Sequence, residues 1–186
     1  MKLPTDRDAL QKALQAGATF NFVFFWGHRK PADGSLTKSC FSQWYESPFS
    51  LGDDLFKTAE HYMMVRKARL FGDEDAARLI LHTASPNEAK KLGRKVRGFS
   101  DAVWIEHREE IVYTGNLAKF SQNRSLRSFL LATQDSILVE ASPVDAIWGI
   151  GLAQDDPRAG EVSTWRGLNL LGFALTKVRE HLESPG

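Results

Sequence analysis

A single cysteine, Cys40, stands in a chain of 186 residues. An intramolecular disulfide is therefore excluded, and a cysteine-based metal cluster has no ligand set to draw on. Charge of one sign is as scarce: 24 Lys and Arg against 23 Asp and Glu leave a formal net charge of +1. That is too weak a field to favour nucleic acid or an anionic membrane, although a local basic cluster that grips an acidic or phosphorylated small ligand needs no global excess. No apolar run reaches transmembrane length. The start, Met1-Lys2-Leu3-Pro4-Thr5-Asp6-Arg7-Asp8, places charges where a signal peptide needs an apolar stretch. A soluble cytoplasmic protein with no membrane partner is expected. The five His, at 28, 61, 82, 107 and 181, show no metal-ligand spacing, and no His-Glu-x-x-His, Walker loop or Gly-x-Ser-x-Gly elbow occurs. Carboxylate, lysine and arginine remain. They suit acid-assisted cleavage through a cationic transition state, or catalysis by an amine nucleophile.

What is present is a globular composition, 42% hydrophobic and 25% charged, with 12 Phe and 5 Trp, enough for a substantial core. Thr5 followed by Asp8 marks a helix start and Gly17 its stop. Thr19 to Trp26, aromatic and β-branched, is a buried strand. Gly27 to Ser39 is a loop, and Cys40 to Phe49 has no clean period. From Thr58 onward the pattern is helical almost to the end. Asp73 caps a helix through His82, and Ser85-Pro86-Asn87-Glu88 starts a short one that stops near Gly93. Further helices run from Asp101 to about Lys119 and from Ser125 to Thr133. Ile137 to Glu140 is a short buried strand, Ser142-Pro143-Val144-Asp145 caps a single turn, and Ala153 to Ser163 is a loop. The last helix buries Leu168, Leu171, Leu175, Val178 and Leu182. With no repeat or linker, the fold class is mainly α: a multihelical single domain with a few short β-strands.

The helix after Thr58 carries the most informative pattern. At about 100° per residue, Glu60, Met63, Met64, Lys67, Ala68, Leu70 and Phe71 share one side, and His61, Val65, Arg66 and Arg69 the other. The core-facing stripe thus holds an acid and a base. Buried charge is costly unless paired or used, so Glu60 and Lys67 form either the wall of a pocket or structural pairs with third groups. They lie seven residues, roughly 10 Å of rise, apart, too far for an (i, i+4) pair. The Asp101–Lys119 helix repeats the anomaly: Trp104, Ile105, Ile111, Val112 and Gly115 share a face that includes Arg108 and Lys119. Two helices with core-side cations point to a common anionic cavity; the alternative is that Arg108 neutralises Glu60. Gly93-Arg94-Lys95-Val96-Arg97-Gly98 is either a phosphate-gripping loop or a solvated connection. Glu140 ends its strand, and Asp145 is either a functional acid or the cap of the turn before Trp148-Gly149-Ile150-Gly151. There the paired glycines admit a close backbone approach beside an indole surface.

Taken in order, Phe56-x-Thr-Ala-Glu60-His61-Tyr62-x-x-x-x-Lys67-Ala68, Ala89-x-x-Leu-Gly93-Arg94, Trp104-x-x-x-Arg108, Ala118-Lys119-Phe120-x-Gln-Asn123, Leu130-Leu131-Ala-Thr133, Leu138-Val139-Glu140, Asp145-x-x-Trp148-Gly149-x-Gly151 and Asn169-x-Leu-Gly172 resemble the YbiA-like, or NADAR, N-glycosidase family. The resemblance runs roughly from Phe20 to Leu182. It sets residues 1–18 apart as an N-terminal helical extension of a domain at 19–186. It implies a multihelical fold and hydrolysis of N-glycosidic bonds on ribosylated, phosphate-bearing small molecules, such as ribosylaminopyrimidine phosphate intermediates of riboflavin biosynthesis. Removal of ADP-ribose from guanine is the alternative, with nucleic acid only as a modified substrate, and a non-catalytic ADP-ribose-binding module is a further one. No metal or redox cofactor is implied. Carried over by motif, Glu60, Lys67 and Asp145 are the catalytic candidates. Glu60 or Asp145 protonates the leaving nitrogen and stabilises the sugar cation, or Lys67 forms a Schiff base with the opened ribose. Trp44, Arg94, Arg108, Lys119, Glu140, Trp148, Gly149 and Gly151 are expected to bind substrate. The chain departs from the family at Ser42-Gln43-Trp44, where the family more often has Ser-Asn and an aromatic residue, and in its long 153–164 loop.

Overall fold

The computed structural model describes residues 3–183. Met1 and Lys2 of the charged start, and the last three residues of the expected 19–186 domain, lie outside the described residues. The described chain is mainly α-helical with a few short strands, as its patterning predicts. By its internal contacts it divides into two compact units, one formed by residues 1–42 and 125–186 and one by residues 43–124.

In the first unit, helix α1 (Arg7–Gln15) starts one residue later than the Thr5 signal suggests: Asp6 is the cap, its carboxylate accepting from the Ala9 N–H at 2.8 Å. The chain leaves α1 through Gly17, whose φ of +89° is a conformation glycine adopts without strain. Strand β1 (Phe22–Phe25) pairs in parallel with β4 (Ile137–Glu140), Phe22 opposite Ile137 and Phe25 opposite Glu140. Helix α6 (Arg124–Leu131) precedes β4, and α7 (Leu170–Glu183) closes the unit. The core gathers Leu10 with Ile137, Val139, Ile150, Val162, Trp165 and Phe173. Two expectations change here. Leu168 is 41% exposed, because α7 begins only at Leu170 and Leu168 belongs to the turn before it. Ser142 starts no helix; the turn is organised by Asp145 instead.

The second unit opens with a hairpin that the sequence patterning does not reveal, β2 (Phe49–Leu51) antiparallel to β3 (Asp54–Phe56). Its strands are three residues long, too short to display an alternation, and Gly52 makes the turn at a φ of +60°. Helix α2 (Ala59–Leu70) follows, capped by Thr58, whose hydroxyl accepts from the His61 N–H. Asp73 caps α3 (Glu74–His82), Ser85 caps α4 (Pro86–Gly93), and α5 (Asp101–Gln122) runs for 22 residues. Helices α3, α4 and α5 all pack on α2. Hence Ala59 through Val65 are buried without a break, and His61 and Val65, on the side opposite Glu60, belong to the core as well. Two glycines set the closeness of these contacts. A methyl group on Gly115 would meet the Tyr62 ring at 2.4 Å, and one on Gly93 would meet Met64 Sδ at 2.1 Å. Among the described residues no helix is long and apolar enough to cross a membrane.

Candidate functional site

Glu60 lies in the first turn of α2 and is 3% exposed, and Lys119 near the end of α5 is 0% exposed. A glutamate and a lysine carried so deep are the strongest departures from ordinary burial in this unit. The Glu60 N–H donates to the Gln43 carbonyl at 2.9 Å. Gln43 is itself fixed by Asn116 on α5, whose Nδ2 donates to Gln43 Oε1 at 2.7 Å and to the Val112 carbonyl at 2.9 Å. This buried amide pair ties the segment that bears Trp44 to α2 and α5. Sequence patterning misses it, although an Asn on the apolar face of α5 is its signal. Trp44 is half-buried, with Lys90 Nζ 5.6 Å from its ring centroid.

Lys67, two turns beyond Glu60, is half-buried. Its Nζ stands 4.1 Å from the centroid of Phe99 and 5.7 Å from that of Trp104. Burial pushes its pKa below the ordinary lysine value; Asp101 opposes this, Arg94 adds to it, and Glu60 opposes it. Glu60, Lys67 and Arg94 therefore share one electrostatic neighbourhood, with Arg94 exposed at the C-terminal end of α4. Lys119 Nζ is 5.0 Å from the Phe120 centroid and 5.8 Å from that of Tyr45. Arg108 is half-buried, and its Nε is enclosed with no hydrogen-bond partner. Among the described residues Arg108 makes no ion pair, so it does not neutralise Glu60. Eleven residues of α5, roughly 16 Å of helix rise, separate Arg108 from Lys119. The buried face of α5 is confined to its second half, from Ile111 to Phe120; Ile105 is exposed, contrary to the sequence expectation.

The remaining candidates, Glu140, Asp145, Trp148, Gly149 and Gly151, lie in the first unit. Glu140 ends β4, half-buried, and its N–H donates to Asn169 Oδ1 at 3.0 Å while Asn169 Nδ2 donates to the Leu138 carbonyl at 2.9 Å. Asn169 is wholly buried with a φ of +55°, a left-handed conformation that asparagine tolerates better than most residues. Asp145 Oδ1 accepts from the N–H groups of Ile147 and Trp148, both at 2.8 Å, so the carboxylate organises the Trp148 turn. At Gly149 a methyl group would come within 2.7 Å of the Glu140 carbonyl and 3.1 Å of the Asp145 carbonyl. Gly151 has a φ of +70° and lies against Arg166. The close approach that these glycines permit is made by the chain's own backbone.

Fold and site together define a YbiA-like multihelical protein with buried acid and amine groups. The family model of the NADAR domain matches residues 24–183. An N-glycosidase of Acanthamoeba polyphaga mimivirus is 41% identical over 167 residues, covering 87% of this chain and 96% of that protein. N-glycosidase YbiA of Escherichia coli K12 is 32% identical over 142 residues, 76% of this chain and 80% of that one. The NMR structure of the E. coli protein YbiA superposes with a TM-score of 0.70 at 26% identity and covers 99% of this chain and 98% of its own. The chain belongs to the NADAR domain family. It is an enzyme of the class that these relatives share, a hydrolase acting on N-glycosyl bonds.

Proposed function

We propose that the substrate is a ribosylated, phosphate-bearing small molecule, with a ribosylaminopyrimidine phosphate as the leading candidate, and that the enzyme releases ribose 5-phosphate from it. The observation that carries this reading is the placement, on packed helices α2 and α5, of a buried carboxyl group (Glu60), a buried lysine side chain (Lys119) and a half-buried amine (Lys67) held below its ordinary pKa. Glu60 is the preferred acid, because Asp145 already spends one oxygen on two backbone N–H groups. In the direct route Glu60 in its acid form protonates the leaving nitrogen, the C1–N bond breaks, water adds to the sugar cation, and the proton that the water sheds restores the acid. In the amine route the sugar ring opens, the neutral Lys67 nitrogen adds to C1, and the substrate nitrogen departs with a proton. Water then hydrolyses the resulting Schiff base, returning the lysine and freeing the sugar. Arg108 or Lys119 holds the phosphate, Trp44 offers a ring surface to the base, and Arg94 completes the proposed binding set of this unit. A cytoplasmic enzyme acting on a small metabolite fits the near-neutral charge.

The test is incubation with a ribosylaminouracil phosphate and, separately, with an ADP-ribosylated guanosine, each with and without borohydride. Release of ribose 5-phosphate from the first, with none of the free base from the second, is expected. A borohydride-dependent mass increase on Lys67 selects the amine route, and an unchanged mass during turnover removes it. Turnover of the guanosine adduct alone overturns the substrate assignment.

A further inference from the structure

Lys67 is embedded by a loop that has no regular structure of its own. Between α4 and α5, residues 94–100 form neither helix nor strand, yet the loop delivers both Phe99 and Arg94 to the neighbourhood of the lysine. Its anchor is Asp73, only 4% exposed. One carboxylate there meets three donors: Oδ2 accepts from the Arg97 N–H at 2.9 Å, Oδ1 from the Arg97 guanidinium at 2.6 Å, and Oδ1 again from the Ala76 N–H at 3.3 Å, capping α3. The Arg97 side chain is 70% exposed and also reaches Asp75 at 3.1 Å. On the other side, the Asp73 N–H donates to the Ala68 carbonyl at 2.9 Å, one residue beyond Lys67. Two hydrogen-bonded steps thus link the backbone beside Lys67 to the loop. Beyond Arg97, Gly98 turns the chain at a φ of +70°, and Phe99 packs edge-on against Phe71 with centroids 5.2 Å apart.

We infer that Asp73 and Arg97 are positioning residues for Lys67, a clamp that fixes the 94–100 loop so that the Phe99 ring covers the lysine amine. The inference rests on the proposed role of Lys67 for its catalytic meaning, but its geometry stands without it. A covered ammonium loses water, which disfavours the charged form, whereas its contact with the ring face favours that form modestly. Because burial is the leading influence on Lys67, loosening the cover and letting Arg94 drift away both raise its pKa. The charged groups acting on Lys67 are Asp101 on α5, Arg94 at the end of α4 and Glu60 on its own helix. The clamp touches only the second of these.

The experiment is reductive methylation with 13C-formaldehyde, followed by NMR titration of the dimethyl-lysine signals, with Lys67→Arg identifying the resonance. Wild-type Lys67 should titrate below the ordinary lysine value. Asp73→Ser keeps a side-chain acceptor for the α3 cap but cannot hold Arg97, and it should move the midpoint up towards the ordinary value. Phe99→Ala should do the same, and the double variant should fall short of the sum of the two single shifts, since both changes remove one cover. An unchanged midpoint in a folded Asp73→Ser protein, or additive shifts in the double variant, overturns the clamp. If Asp73→Ser unfolds, Arg97→Ala replaces it, because it removes only an exposed side chain; a smaller upward shift is expected, and none overturns the proposal. Failure of borohydride to trap Lys67 alongside the expected shifts would remove the amine route while leaving the clamp in place.

Discussion

Replacing Arg108 by alanine separates a binding residue from a structural one, because the two roles predict opposite readouts. Were Arg108 half of a buried ion pair, its loss would strand a carboxylate and cost roughly 3–5 kcal/mol, a fall in Tm of about 6–20 °C for a chain of this size. No such pair exists among the described residues, and the Arg108 Nε is enclosed without an acceptor. The variant therefore loses only the packing of a half-buried stem, below about 1 kcal/mol. If the guanidinium takes the substrate phosphate, one charge-assisted contact is removed. That costs about 1.5–3 kcal/mol, or roughly a 10- to 150-fold loss in kcat/KM. The loss should appear mainly as a raised KM and should be much smaller for the dephosphorylated substrate, with a Tm within a few degrees of wild type. Steady-state kinetics on the phosphorylated and dephosphorylated pair, beside a thermal melt, decide the matter. Equal losses on both substrates, or a collapse in Tm, refute the assignment.

Two further predictions concern the helices that carry the site. Gly115→Ala should destabilise by about 1–2 kcal/mol in denaturant unfolding, since overpacking against the buried Tyr62 ring outweighs a gain in helix propensity of about 1 kcal/mol; Gly93→Ala should be close to neutral because its neighbour, the Met64 thioether, can swing aside. His61 is held below its ordinary pKa, chiefly by burial, with the Thr83 carbonyl opposing and Lys57 assisting. Below its ordinary value of 6.5 the unfolded chain takes up a proton that the native His61 still refuses, so stability falls as pH falls through that window and levels off below the folded pKa. Urea titrations across the window should show this slope in the wild type and lose it in His61→Gln, and an identical slope in both removes His61 as its source.

Local signals were legible to the residue. Asp73 and Ser85 each cap the helix that their spacing predicts, and β4 spans Ile137–Glu140 as read, because a cap is a contact between a side chain and a backbone three residues away. The errors have the same origin from the other side. Asp6 and Asp145 displaced Thr5 and Ser142 where two acceptors competed within a few residues, and the Phe49–Phe56 hairpin escaped because three-residue strands carry no period. For the candidate site, the anomaly of Glu60, Lys67, Arg108 and Lys119 on apolar stripes was readable, since a charge out of place needs only the helical period to be noticed. Its supports were not. The Gln43–Asn116 hydrogen bond joins residues 73 apart and the Asp73–Arg97 bonds residues 24 apart, and no periodicity connects them. Asp73 shows how the two kinds of information overlap: the sequence identifies it as a cap, and the cap explains its place in the chain. Yet the same carboxylate also holds Arg97, so a residue whose local role is fully accounted for also fixes the loop that covers the lysine.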